Sequence, residues 1–317
     1  MRILIAGGAG FLGARLARSL LAQSGAAEGG PGKSAKGSAG KGGARNGLSL
    51  ILADRIAPPP DLARDPRVTA AVGDLTDLVA GGLIGADVDA VCHLAAAVSG
   101  ECERDFELGL RSNLLALTTM LEACRARVFA GGQPPRVVFA SSVAVFGAGP
   151  GERLPDPVVD ASLPAPQSSY GTQKFVGEQL IAEYSRKGYI HGRNARLMTV
   201  SARPGKPNQA ASGFLSGIVR EPLSGLRANC PVPLETAVAL SSPARAVEGL
   251  RKALFASELE WPWRSAVNLP ALTVTVGEMI DALRAVAGQG AVDLIDHRRD
   301  PAVEKIVSGW PIRATNR

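Results

Sequence analysis

The chain has few aromatic residues, four cysteines in no pairing pattern, and no apolar run of the length that crosses a membrane. Each shortage excludes something. Aromatics make up 4% of the 317 positions, which leaves little equipment for stacking on nucleobases, so a formal charge of +6 does not imply a nucleic-acid partner. Much of that charge sits in one segment, 25–47, where Lys33, Lys36, Lys41 and Arg45 stand against a single acid, Glu28. Cys92, Cys102, Cys124 and Cys230 include no C-x-x-C pair and no zinc-like spacing to histidine, so neither a disulfide framework nor a metal site is expected. A reducing cytoplasm fits that usage. Met1 and Arg2 lead directly into Ile3-Leu4-Ile5-Ala6 and then glycines, which is too short for a secretory leader and reads as a first strand.

What the chain does have is alternation. Short aliphatic runs at 2–6, 48–53, 68–73, 88–93, 136–140 and 196–202 are expected strands, with helices near 11–23, 103–128 and 169–187 between them. This is the pattern of an α/β fold: a Rossmann-type doubly wound parallel sheet with all strand carboxyl ends on one edge. The segment 25–47 is rich in Gly, Ser, Ala and Lys and lacks apolar periodicity, so it reads as a flexible insertion between a helix and the next strand. After about residue 204 the alternation weakens, with Pro204, Pro207, Pro222, Pro231, Pro233 and Pro243 breaking up the chain. The expected division is therefore a nucleotide-binding domain over 1–203 and a small C-terminal substrate-binding lobe over 204–317.

The chemistry concentrates at the strand ends. Gly7, Gly10 and Gly13 lie in Gly7-Gly8-Ala9-Gly10-Phe11-Leu12-Gly13, between a first strand and a first helix, where a pyrophosphate needs bare backbone and a helix amino terminus. Asp54 closes the second strand 41 positions after Gly13, and subtracting the insertion leaves 18, the spacing of a ribose-binding carboxylate. An anion there repels a 2′-phosphate and predicts NAD, despite the neighbouring Arg55. Asp74-Leu75 and His93-Leu94-Ala95-Ala96 close the third and fourth strands beside the expected cofactor; His93 is read as a satisfied core residue. Tyr170 and Lys174 are four apart on a helix with potential caps Ser168 and Ser169, so the ammonium shares a face with the phenol. A phenol of pKa about 10 must fall by roughly three units to act near neutral pH, and Lys174 beside an oxidised nicotinamide is expected to supply much of that. Ser142, at the end of the fifth strand, is placed to hold a substrate oxygen. A nucleophilic serine would need a histidine base and a nucleophile elbow, and neither is present.

Taken together, Gly7–Gly13, Asp54, Asp74-Leu75, His93–Ala96, Asn113, Ser141–Gly147 and Tyr170–Lys174 resemble the extended short-chain dehydrogenase/reductase superfamily, the NAD-dependent epimerases and dehydratases. The resemblance covers about residues 1–260. It implies Ser142, Tyr170 and Lys174 as the catalytic set, with Lys174 also on the nicotinamide ribose. It further implies a cofactor site made by Gly7, Gly10, Phe11, Leu12, Gly13, Asp54, Asp74, Leu75, Leu94, Ala95, Ala96 and Asn113 together with Tyr170 and Lys174. Phe146 stands where the family usually has tyrosine.

Two departures bear on the substrate. The stretch Ser201–Asn208 lacks the asparagine and Y-G-P of sugar-nucleotide enzymes, and with Gly213–Leu223 it is similar to the branch that oxidises the 2-hydroxyl of a four-carbon sugar acid, D-erythronate. That likeness makes Arg203, Lys206 and Arg220 candidates for the substrate carboxylate, beside Ser142 and Tyr170. The expected activity is NAD-dependent oxidation of a small sugar acid, with no metal and no membrane partner, and a homodimer is implied by relatives that pair through their central helices. Two rivals stand beside it: a sugar epimerase that retains its NAD, and a non-catalytic dinucleotide-binding regulator. The end of the chain, from Ser308 on, suggests no role.

Overall fold

The computed structural model describes residues 1–28, 47–149, 151–205, 212–261 and 266–315. Apart from its first four residues and Gly47, the expected insertion 25–47 lies outside them, as does Lys206. The strands are β1 (Arg2–Ala6), β2 (Ser49–Asp54), β3 (Val68–Val72), β4 (Ala90–His93), β5 (Arg136–Ser142), β6 (His191–Leu197), β7 (Thr199–Val200), β8 (Ala228–Asn229), β9 (Ala237–Ser241), β10 (Ala266–Asn268), β11 (Leu272–Thr275) and β12 (Ile295–Asp296). Seven of them form one parallel sheet in the order β10-β6-β5-β4-β1-β2-β3.

The apolar strand runs have a direct cause: both faces of the sheet are covered. Ile3 and Ile5 pack into one core and Leu4 into the other, all three fully buried and each contributing about 1.5–3 kcal/mol of transfer free energy. Helices α1 (Phe11–Glu28) and α5 (Pro243–Phe255) close the first face through Leu16, Leu20, Leu250 and Leu254. Helices α2 (Ala116–Phe129) and α3 (Ser169–Arg186) close the second through Leu117, Met120, Leu121 and Ile181. Three further helices, α4 (Gly213–Leu223), α6 (Val276–Ala287) and α7 (Pro301–Ser308), enclose a separate core with Leu215, Ile218, Val238, Ile280 and Val307. Two small sheets, β11-β9-β7 and β12-β8, complete that lobe.

Three expectations change. The sixth strand is His191–Leu197, not 196–202, and a seventh, Ala266–Asn268, joins the same sheet beside it. The expected helix over 103–128 is broken at Asp105, whose extended backbone (φ −132°, ψ 92°) ends one short helix while its side chain caps the next by accepting the Leu108 N–H at 2.8 Å. A π-helical stretch, Leu110–Leu115, then leads into α2. Finally, α5 and β10 return to the large sheet from within 204–317, so the small lobe is interrupted. Because β1 pairs with both β2 and β4, the strand order reverses there and leaves a crevice at the carboxyl ends of β1 and β4.

Candidate active site

A cleft of about 1660 Å³ runs along that edge, from Asp54, Asp74 and Leu75, past Gly7, Gly10, Phe11, Leu12 and Gly13 and Leu94, Ala95 and Ala96, to Ser142, Tyr170 and Lys174. The glycines are required by contact. Gly7 has φ +82°, and a Cβ there would stand 2.8 Å from the Ala95 nitrogen, while one on Gly13 would stand 2.0 Å from the Gly7 oxygen. The first turn of α1 carries no acidic residue, so its amide groups keep their positive end toward the cleft. Asp54 Oδ2 accepts the N–H groups of Ala9 and Gly10, both at 3.1 Å, which leaves its other oxygen out of the turn. Arg55 donates to Asp74 at 2.9 Å, and Asp74 also caps the following helix through the Thr76 N–H at 2.9 Å. Arg55 first and Thr76 second hold the Asp74 carboxyl below its usual range. A bare-backbone cradle, a helix start and a carboxylate at the end of β2 fit a dinucleotide with an unphosphorylated ribose, because the nearby guanidinium is already engaged.

At the other end, Ser142 is the last residue of β5; its Oγ accepts the Ala144 N–H at 3.1 Å, and its hydroxyl favours ionisation of the Tyr170 phenol. Tyr170 begins α3, whose cap Ser168 accepts the Gly171 N–H at 3.0 Å. One turn on, the Lys174 ammonium donates to the Ala140 carbonyl at 2.8 Å and lies 5.6 Å from the Tyr170 ring centroid and 4.8 Å from that of Phe139. Among the protein's own groups, burial is the strongest influence on the phenol. Burial pushes Tyr170 up to about 12, against the weaker pull of Ser142 and Arg203, and pushes Lys174 down to about 8, against Cys102 and Glu178.

Asn113, expected at the cofactor, does not line the cleft. It is buried in the π-helical stretch, where Oδ1 accepts the Ala97 N–H at 2.8 Å and Nδ2 donates to the Ala97 oxygen at 3.2 Å and to Gln173 Oε1 at 2.7 Å. It braces the strand-β4 exit against α3. His93 is a core residue stacked on Phe139 at 5.9 Å, but neither ring nitrogen has a hydrogen-bond partner among the described residues, and burial drives its pKa down to about 3.

Of the two described cations expected at the substrate carboxylate, Arg203 lines the cleft and Arg220 does not. Arg220 lies behind it, donating to the Arg203 carbonyl oxygen at 2.8 Å and pairing with Glu221. The cleft also takes in Met198, Thr199, Val200 and Ser212, and from the far end of the chain Val303, Lys305, Ile306 and Trp310. No local pattern announces these last four.

The model of the NAD dependent epimerase/dehydratase family matches residues 3–235. The chain belongs to this family. Its cofactor is NAD, and its chemistry is oxidoreduction at a CH–OH carbon. The chain is 47% identical over 312 residues to D-erythronate dehydrogenase of Cupriavidus necator, covering 98% of this chain and 90% of that one. To D-erythronate dehydrogenase of Haemophilus influenzae it is 41% identical over 322 residues, covering 100% and 92%. Among solved structures, one described as the nucleoside-diphosphate-sugar epimerase from Agrobacterium tumefaciens superposes with a TM-score of 0.84 at 39% identity, covering 99% and 86%. The L-threonine dehydrogenase from Clostridium difficile, at 21% identity and a TM-score of 0.77 over 99% and 88%, shares the fold. No helix among the described residues is long and apolar enough to cross a membrane.

Proposed function

We propose that the protein oxidises the 2-hydroxyl of a small sugar acid, D-erythronate, to the 2-dehydro acid in the cytoplasm. The observation that carries this reading is the setting of Arg203. Its guanidinium lines the cleft close enough to favour ionisation of Tyr170, and its side-chain partners among the described residues are the hydroxyls of Ser212 and Ser216. Among the described residues no carboxylate pairs with it there. A half-buried, uncompensated cation beside the reacting groups calls for an anionic substrate.

When bound, oxidised NAD supplies the acceptor for the carbon-bound hydrogen and its electron pair. The residues handle the rest. Tyr170 in its ionised form takes the hydroxyl proton, Ser142 donates to the same oxygen and fixes it, and Lys174 holds the nicotinamide ribose while its charge favours the ionised phenol. Gly7, Gly10, Phe11, Leu12 and Gly13 receive the pyrophosphate, Asp54 the adenosine ribose, and Arg203 the substrate carboxylate. The relatives named D-erythronate dehydrogenase support the choice of acid. Self-association through α3 and the preceding helices is the proposed assembly, because Phe106, Leu110 and Val176 expose apolar surface there; a single-chain mass by light scattering would refute it.

The test is NADH absorbance across aldonates, polyols and nucleotide sugars. D-Erythronate should reduce NAD, while erythritol and UDP-sugars should not. Turnover of nucleotide sugars with silent aldonates would replace this reading with the epimerase, and purified protein carrying stoichiometric NAD without net NADH formation would support that replacement.

A further inference from the structure

Arg203 is held in an unusual way for a partly buried arginine. Its backbone N–H donates to Ser216 Oγ at 3.1 Å, its Nε to the same oxygen at 3.5 Å, and its Nη2 to Ser212 Oγ at 3.2 Å. Ser212 and Ser216 stand four apart at the start of α4, so the two hydroxyls lie on one face. Ser216 is 1% exposed, which fixes it firmly, whereas Ser212 reaches the cleft wall. Behind Arg203, Arg220 holds its carbonyl oxygen and is itself paired with Glu221, so the one carboxylate of the group is used on the rear arginine. Burial first, and Arg220 second, make the charge on Arg203 costly and lower its pKa.

We propose that Ser212 and Ser216 are positioning residues for substrate recognition: their hydroxyls orient the Arg203 guanidinium toward the substrate carboxylate without neutralising it. A carboxylate in either place would fix the same geometry but quench the charge, and an alanine would keep the charge but free the fork. Hydroxyls do neither. Arg220 belongs to the same device, anchoring the Arg203 backbone from behind. This inference rests on the proposed acid substrate.

The experiment is steady-state kinetics of the full chain and of Ser212→Ala, Ser216→Ala, Ser216→Thr, Ser212→Asp and the double alanine variant, with KM measured separately for the acid and for NAD. The double alanine variant should raise KM for the acid about tenfold, the loss expected when a charged donor is no longer held, and leave KM for NAD within about twofold. Ser216→Thr should restore the acid KM. Ser212→Asp should raise it further than Ser212→Ala, because a carboxylate competes with the substrate for Arg203. An unchanged acid KM in the double variant, or Ser212→Asp binding the acid as well as wild type, overturns the proposal. Should Ser216→Ala fail to fold, the two cleft-side Ser212 variants decide the matter alone. If wild type oxidises no aldonate, the acid reading itself has failed; the same variants then compared on the substrate that does turn over show whether Arg203 positioning matters there.

Discussion

Asp54 accepts the backbone N–H of Gly10 at 3.1 Å, so the carboxylate proposed to read the ribose also holds the turn proposed to receive the pyrophosphate. The two duties separate by substitution. Asp54→Ala should lower kcat/KM for NAD at least about tenfold and narrow the NAD-to-NADP ratio, while costing about 1–3 kcal/mol of stability for the orphaned Ala9 amide, since that of Gly10 keeps the Gly7 oxygen. Asp54→Asn keeps an acceptor and should regain the stability without the cofactor preference. Comparing both cofactors and thermal melts for the two variants checks this; an unaltered NAD preference in Asp54→Ala would remove Asp54 from the ribose.

Tyr170→Phe should lose about 10²–10⁴-fold in kcat, the range of a general acid–base group, yet bind NAD with nearly the wild-type Kd by calorimetry. A variant with near wild-type turnover would show that the proton leaves by another route.

His93 gives the protein an acid-sensitive limb. Burial holds its folded pKa near 3, against 6.5 in the open chain, so between those values the unfolded state takes up a proton that the folded state refuses. The stability of the neutral ring is therefore complete above pH 6.5 and is lost as pH falls toward 3, on the order of 1–2 kcal/mol by pH 5. His93→Leu should flatten this part of the profile of Tm against pH. Parallel profiles for variant and wild type would mean that His93 is protonated in the fold.

Replacing residues 30–45 by a short glycine–serine linker should leave kcat/KM within about twofold. The connection re-enters the described chain at Gly47, whose carbonyl receives the Met1 amino group at 2.9 Å, and Ser49 then donates to the Met1 oxygen at 3.0 Å. That is the amino edge of β1, opposite Gly7 and the cleft. A tenfold loss with a cooperative melt retained would place the segment at the site.

How far the sequence discloses this molecule depends on whether a signal is local. The glycine turn, Asp54, Ser142 and the Tyr170–Lys174 pair are legible because strand, turn and helix residues lie next to one another in the chain. Strand β6 is not, since His191-Gly192-Arg193-Asn194-Ala195-Arg196 looks too polar for a sheet interior. Its arginines are nonetheless buried because Arg196 meets Glu178 in two hydrogen bonds of 2.8 Å, and Arg193 donates to the Ala256 carbonyl at 3.0 Å and to Glu258 at 2.9 Å. Strand β10 is too short to announce itself. Arg220 and Asn113 carry the right chemistry for a site, but only tertiary packing reveals that each hydrogen-bonds a neighbour and does not line the cleft. The upward push on Tyr170 likewise comes from burial, which residue spacing does not report.

The stretch around Ala314 ties the loop before the Tyr170 helix to a distant part of the chain. Val158 donates its N–H to the Arg313 oxygen and accepts that of Thr315, both at 3.0 Å; Arg313 forks onto Asp156 at 2.6 and 2.8 Å, and Asn268 donates to the Thr315 oxygen at 3.0 Å. These contacts pin the loop that leads into the Tyr170 helix from residues 157 positions further along the chain. A chain cut at residue 300 keeps Ser142, Tyr170 and Lys174, and keeps the hold of Asn268 and Arg196 on Asp160, but loses the contacts at Asp156 and Val158 and the cleft wall made by Lys305 and Trp310. A cut at residue 300 would therefore spare every strand of the large sheet while unpinning the loop beside the site.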